Sequence, residues 1–333
     1  MSAIKAAVIG CGGAGSGHAQ KAGDLGLELV GFCDEIEAKA VELCERIGTG
    51  YATTDPDRII RDDRIDLVVV ATHHDAHHPL ALAAARAGKH LLVEKPMCAT
   101  REQAEEVAEA VERSGVKLVV NCKFRIAPTV QKARELIPNP RLSHGQLAMD
   151  DSGLDTGRGA TWIWDVDDGG GLLISTAVHT IDLLAYLMDS PADRVYAEGR
   201  VFGIDKGTAG FPDALVGTIQ WQNGGLSTVI SADQGHNPFV SKWFHQVWDG
   251  ERSAVFSAHT GRVDFGGCEI DHLETSALPA EEQQAASMMA NLLEAIRTDG
   301  DTLCNARDGV RTVALCKALE EAARSGRPQV VAH

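Results

Sequence analysis

Ala6-Ala7-Val8-Ile9-Gly10-Cys11-Gly12-Gly13-Ala14-Gly15 opens the chain with an apolar run and a G-x-G-x-x-G turn. The run is too short for a buried helix and reads as a strand, while the small residues after it open a helical stretch towards Ala22. The first glycine permits a tight turn, the second lets backbone approach a diphosphate, and the third allows close helix packing. A helix N-terminus there favours an anion. A second strand-like run ends at Cys33-Asp34-Glu35, with Asp34 lying 19 residues past Gly15. A carboxylate at that distance can accept hydrogen bonds from a ribose diol. Gly10, Gly12, Gly13, Ala14, Gly15 and Asp34 are therefore candidate dinucleotide contacts. Asp34 would repel a 2′-phosphate and no Arg follows to neutralise one, so NAD(H) is expected over NADP(H).

Working outward, Ala6–Gly10, Leu27–Cys33, Leu67–Thr72, His90–Glu94 and Lys117–Asn121 read as strands separated by Ala/Glu-rich helical stretches. That alternation predicts a doubly wound parallel sheet. Thr100 with Gln103 forms a capping box ahead of the periodic stretch Glu102–Arg113, and Gly115 stops it. After about residue 122 the texture changes, with Trp162, Trp164, Trp221, Trp243 and Trp248 and a succession of Gly-punctuated strand patterns. Arg194–Val201, Ala214–Trp221, Leu226–Ala232, His245–Trp248, Ala254–Ser257 and Arg262–Phe265 predict a large, mostly antiparallel sheet. Helices near Gly171–Met188 and Glu281–Arg297 are expected to cover one face of it, and a second subunit the other. The fold class is thus α/β, with a Rossmann domain over 1–122 and an α+β domain over 123–333.

The whole chain of 333 residues carries 47 acidic against 31 basic residues, a formal net charge of −16. That balance argues against nucleic acid and anionic membrane as partners. No apolar run reaches the ~20 residues that span a bilayer. The first strand begins almost at Met1, which leaves no room for a leader and sets the cytoplasm as the expectation. The eight cysteines include no close pair and are expected as free thiols.

The run His90–Glu94 leads into Glu94-Lys95-Pro96. Together with the Gly-rich turn, Ala71-Thr72 through His77, Arg125 through Pro128, Gly169-Gly170-Gly171 leading to His179 and Asp182, and Ala306-Arg307-Asp308-Gly309, this resembles the Gfo/Idh/MocA oxidoreductases over essentially the full length. The resemblance implies an NAD-dependent sugar or polyol dehydrogenase, with hydride passing between nicotinamide and a substrate carbon. It implies Lys95 as acid/base assisted by His179, with Thr72, His77, Glu94 and Lys95 beside the cofactor. A Lys near an oxidised nicotinamide would have its ammonium destabilised by burial and like charge, which suits proton exchange.

Other residues leave two readings open. Lys123 and Arg125 could address substrate oxygens or serve as interdomain ion-pair donors. Trp162, Trp164 and Asp165 suit a pyranose face and its hydroxyls, or plain core and subunit contact. Ser175, His179, Asp182 and Tyr186 recur on one helical face, with Ser175 and Asp182 as candidate substrate contacts. The family pattern has Asp where Ser175 stands and Gly where Ala177 stands, and Ser cannot carry a negative charge. His73-His74-Asp75-Ala76-His77-His78 invites a metal, but a strand-to-helix turn beside the cofactor accounts for it, and no metal is expected. Two rival functions remain: a glycoside hydrolase or lyase that uses NAD without net redox change, and a non-catalytic nucleotide or sugar sensor. A homodimer or homotetramer through the C-terminal sheet is the expected assembly.

Overall fold

A computed structural model describes residues 3–148, 171, 173–201, 214–232, 243–257, 262–267, 270–274 and 287–332. The chain forms two compact units, Met1–Asn121 with Met288–Val310, and Cys122–Ser287 with Arg311–His333. The sequence reading kept everything after residue 122 in one domain, whereas here residues 288–310 group with the first unit.

The first unit is built on β1 (Lys5–Ile9), β2 (Glu28–Cys33), β3 (Tyr51–Thr53), β4 (Leu67–Val70), β5 (His90–Val93) and β6 (Leu118–Val120). They form a parallel sheet in the order β3-β2-β1-β4-β5-β6. Ala6, Ala7 and Val8 in β1 and Leu67 to Val70 in β4 are buried without alternation, because helices cover both faces. Those helices are α1 (Gly13–Ala22), α2 (Glu37–Ile47), α3 (Pro56–Ile60), α4 (His74–Arg86) and α5 (Arg101–Ser114). The capping box holds as expected: Thr100 accepts from the Gln103 amide, Gln103 reaches back, and Gly115 closes α5 in the left-handed region. β3 escaped the sequence reading because a three-residue, half-buried edge strand shows no period.

The second unit begins with α6 (Pro128–Leu136) and β7 (Leu142–Ala148), and continues through a π-helical turn at Leu173–Ala177 into α7 (Val178–Met188). Then follow β8 (Ala192–Arg200), β9 (Ala214–Trp221), β10 (Leu226–Ala232), β11 (Trp243–Trp248), β12 (Ser253–Ser257), β13 (Arg262–Gly266) and β14 (Ile270–Glu274). The chain next forms α8 (Met288–Thr298), α9 (Ala306–Ser325) and β15 (Gln329–Val330). The sheet order is β14-β13-β12-β11-β7-β10-β9-β8-β15, antiparallel except where β7 runs parallel to β10. β7 is a central strand that the sequence reading missed. Its Leu-Ser-His-Gly-Gln-Leu-Ala lacks β-branched residues, and Gly145 must stay small because an added Cβ would lie 2.6 Å from the Thr180 methyl of α7.

One face of this sheet is buried under α6, α7 and α9, with Val130, Ala133, Ile181, Leu184, Leu315 and Leu319 in its core. Here the sequence reading needs a correction. The helix expected over Glu281–Arg297, whose residues 281–286 lie outside the described ones, does not cover this sheet. Instead α8 packs on β5 and β6 of the first unit, where the segment after it also bonds: Val120 N donates to Cys304 O at 2.8 Å. The Thr302 hydroxyl donates to Leu118 O at 2.5 Å. Among the described residues seven cysteines are free thiols, and no helix is long and apolar enough to cross a membrane.

Candidate active site

The Gly-rich turn has the shape a dinucleotide needs. Gly10 sits at φ +94°, and a Cβ there would fall 2.3 Å from Ala71 O; one on Gly15 would fall 1.8 Å from Gly10 O. The peptide therefore folds tightly back on the strand end. On the opposite side Gly12 and Gly13 meet no atom within 4 Å of an added Cβ. Among the described residues nothing crowds these two glycines at the start of α1, whose first amides could donate to a diphosphate. Asp34 is buried and accepts from Cys11 N at 2.8 Å and Ile36 N at 2.9 Å, so it braces the turn from the end of β2. Each carboxylate oxygen keeps a second lone pair for a ribose hydroxyl. Burial, with Asp34 and Cys33 adding to it, pushes the Cys11 thiol up to about 12, which makes it a packing group.

A second cluster forms where β4, β5 and β6 end. Glu94 follows β5, and its amide donates to Val70 O at 2.9 Å. Its Oε1 pairs with His18 Nε2 of α1 at 2.8 Å and accepts from Asn121 Nδ2, just past β6, at 2.7 Å. Its Oε2 accepts from Lys95 N at 3.3 Å. Burial pushes the Glu94 carboxyl up, but the hydrogen bond and charge of His18, the charge of Lys95 and the Asn121 bond outweigh it. The net result lies below the ordinary carboxylate range. The carboxylate preceding Lys95 is thus kept anionic.

His77 anchors the other side of Lys95. Its ring is fully buried, with Nδ1 2.7 Å from Pro96 O and Nε2 3.2 Å from Thr72 O. A neutral imidazole has one N–H and donates to one carbonyl; Pro96 O is the nearer, so His77 of α4 anchors the Lys95-Pro96 segment. Burial lowers its pKa, only partly offset by those two carbonyls and Glu94. The other histidines of the run diverge. His78 Nε2 meets Glu106 Oε2 at 3.0 Å, His73 is exposed at the helix cap, and His74 is buried 5.6 Å from the His77 ring.

In the second unit the ring of His179 on α7 packs against Phe124 at 5.0 Å and edge-on to Trp243 of β11 at 5.6 Å between centroids. These two aromatics hold the imidazole in place. Arg125 and Asp182 pair within the second unit, not between domains: Nε and Nη2 of Arg125 donate to the two Asp182 oxygens at 2.9 and 2.8 Å. Thr312 of α9 adds a bond to Asp182 at 2.8 Å, and both charged residues are almost wholly buried. Such a forked pair binds the strand-exit loop to α7. Ser175 is also buried, inside the π-helical turn, where i→i+5 bonding changes the spacing to His179 that a regular helix would give. Lys123 is exposed, its ammonium 5.7 Å from the Phe124 ring. Trp162, Trp164 and Asp165 lie outside the described residues.

Sequence reasoning missed His18, Asn121, Phe124 and Trp243. The first stands out as an imidazole in the Gly/Ala-rich α1, but its partner is 76 positions away and only the sheet order brings them together.

A family model described as "Oxidoreductase family, NAD-binding Rossmann fold" matches residues 4–122, and "GFO/IDH/MocA C-terminal domain" matches residues 130–239. D-glucoside 3-dehydrogenase of Escherichia coli strain K12 is 29% identical over 90% of this chain and 89% of its own. For 1,5-anhydro-D-fructose reductase of Ensifer adhaerens the identity is 27% over 91% and 90%. Levoglucosan dehydrogenase, solved with NADH and levoglucosan, superimposes with a TM-score of 0.89 over all of both chains at 21% identity, which speaks for the fold. With residues 4–122 and 130–239 matched in order by the two domain models of one family, the chain belongs to the Gfo/Idh/MocA oxidoreductases, with an NAD-binding Rossmann domain as its first matched part.

Proposed function

We propose that the protein transfers a hydride between NAD and a hydroxyl-bearing or keto carbon of a sugar, sugar derivative or polyol. Lys95 takes or gives the hydroxyl proton and His179 assists. The observation that carries this reading is the bracing of Lys95: Glu94 is tied to α1 through His18 and Pro96 to α4 through His77. A proton-exchanging group needs that fixity, because efficiency depends on holding it within hydrogen-bond reach of the reacting oxygen. The substrate class is supported by the two relatives named for sugar oxidoreduction. NAD supplies the hydride chemistry; the open side of Gly12 and Gly13 and the carboxylate of Asp34 are the groups that would hold it.

Incubation with NAD and a panel of sugars and polyols, followed by NADH absorbance, tests the reading. NADH should appear in proportion to oxidised product. Sugar product without net NADH would replace it with a redox-neutral lyase or hydrolase. In Lys95→Ala, turnover should fall roughly 10²–10⁴-fold, the range for a lost acid/base, with NADH affinity nearly unchanged. Undiminished turnover would remove Lys95 from the mechanism.

The assembly belongs to the same proposal. The face of the second sheet turned away from α6, α7 and α9 displays Leu226 at 46% exposure beside Leu142 at 40%, and Val216 at 57% further along β9, exposed apolar side chains on β10, β7 and β9. A second copy of the chain is its proposed cover. Val216→Asp should lower the mass seen in sedimentation, and an unaltered mass would disconnect this face from assembly.

A further inference from the structure

His18 lies on α1, whose first turn faces the open side of the Gly-rich loop, and its ring reaches the carboxylate that precedes Lys95. We propose that His18 is a positioning residue for Lys95: with Asn121 it occupies one Glu94 oxygen, limits the negative charge that Glu94 brings to bear on the Lys95 ammonium, and so keeps that ammonium able to release its proton. The inference rests on the assignment of Lys95 above but is read on Lys95 itself.

The geometry carries the argument. Two donors, His18 Nε2 at 2.8 Å and Asn121 Nδ2 at 2.7 Å, converge on Oε1 from different elements, while Oε2 meets only a long contact with the Lys95 amide among these bonds. His18 and Glu94 are largely screened from water, with side-chain exposures of 16% and 14%, so the pair is not diluted by solvent. Donation by Nε2 is available to the cationic ring and to one neutral tautomer. The groups that face Glu94 are His18 from α1, His77 from α4, Asn121 from beyond β6 and Lys95 beside it. Removing the α1 donor leaves the Glu94 charge to be met by Asn121 and Lys95 alone, which favours the protonated form of Lys95. Because α1 is also the diphosphate helix, one helix would then serve both cofactor seating and proton exchange.

The test is competitive acetylation of Lys95 by acetic anhydride across pH, quantified by mass spectrometry, in wild type, His18→Phe and His18→Gln. His18→Phe, which removes the hydrogen-bond donor to Glu94, should move the Lys95 midpoint upward by about one pH unit. His18→Gln, which keeps a donor, should stay near wild type. Asn121→Ala removes the other donor and should move the midpoint the same way, covering the case in which the Phe variant does not fold. Folding is verified by thermal melting for each. An unmoved midpoint in folded His18→Phe and Asn121→Ala overturns the inference. A moved midpoint with an unchanged pH–rate profile keeps it and removes Lys95 as the acid/base.

Discussion

Asp182 shows how a residue's surroundings select among its roles. Both its oxygens accept from Arg125 and one also from Thr312, at almost complete burial, so the pair cannot be opened without leaving a charge in the core. Asp182→Ala should lower unfolding stability by about 3–5 kcal/mol, as broken buried pairs do, and urea denaturation reads it. A loss confined to substrate affinity, with stability intact, would make Asp182 a substrate contact. At this scale the glycine turn and Asp34 were legible in the sequence because their partners sit within one strand–turn–helix unit. His18, Asn121 and Trp243 were not, since each acquires its meaning from a residue far along the chain. The family pattern pointed to position 175, yet it could not reveal that Ser175 is buried in a widened turn.

Among the elements, legibility follows local determinism. α5 was readable to its ends because its start and stop depend on Thr100, Gln103 and Gly115 alone. Thr100→Ala should cost about 1 kcal/mol by thermal unfolding, the usual value of a lost N-cap. β7 obeys a distant constraint instead. Gly145 lies opposite His245 in the register and under Thr180 and Leu184, so close helix–sheet approach selected it against strand propensity. Gly145→Val, favourable by propensity, should destabilise by about 1–3 kcal/mol through overpacking against α7. A neutral or stabilising outcome in urea titration would mean α7 can lift without cost. α8 was misassigned for a related reason: its apolar stripe reads clearly, but no periodicity says which of two sheets it covers.

For the molecule as a whole, buried histidines set the response to acid. His245 is fully enclosed, stacked on Phe256, and burial, with His144 adding to it, lowers its pKa to about 3 from 6.5. The unfolded chain therefore binds this proton at a higher pH than the folded one. The stability His245 contributes is whole above pH 6.5 and lost as pH falls towards 3, at about 1.4 kcal/mol per pH unit. His77 acts in the same sense. Carboxylates such as Glu94, whose pKa is lowered, add their loss only below the ordinary carboxylate range. Urea midpoints should fall between pH 6.5 and 4.5, and His245→Phe should flatten that decline. An equally steep decline in the variant would assign the acid response to other groups.

The return of residues 288–310 to the first sheet bears on how the protein is made. A ribosome releases β1 to β6 long before it releases α8 or the Thr302 and Cys304 atoms that bond to β6. The nascent Rossmann half must therefore wait, with the side of β5 and β6 that α8 covers left bare, until residues 288–310 have been synthesised. An amino-terminal fragment ending at residue 122 inherits that bare surface permanently, and it should aggregate unless the 288–310 segment is supplied in trans.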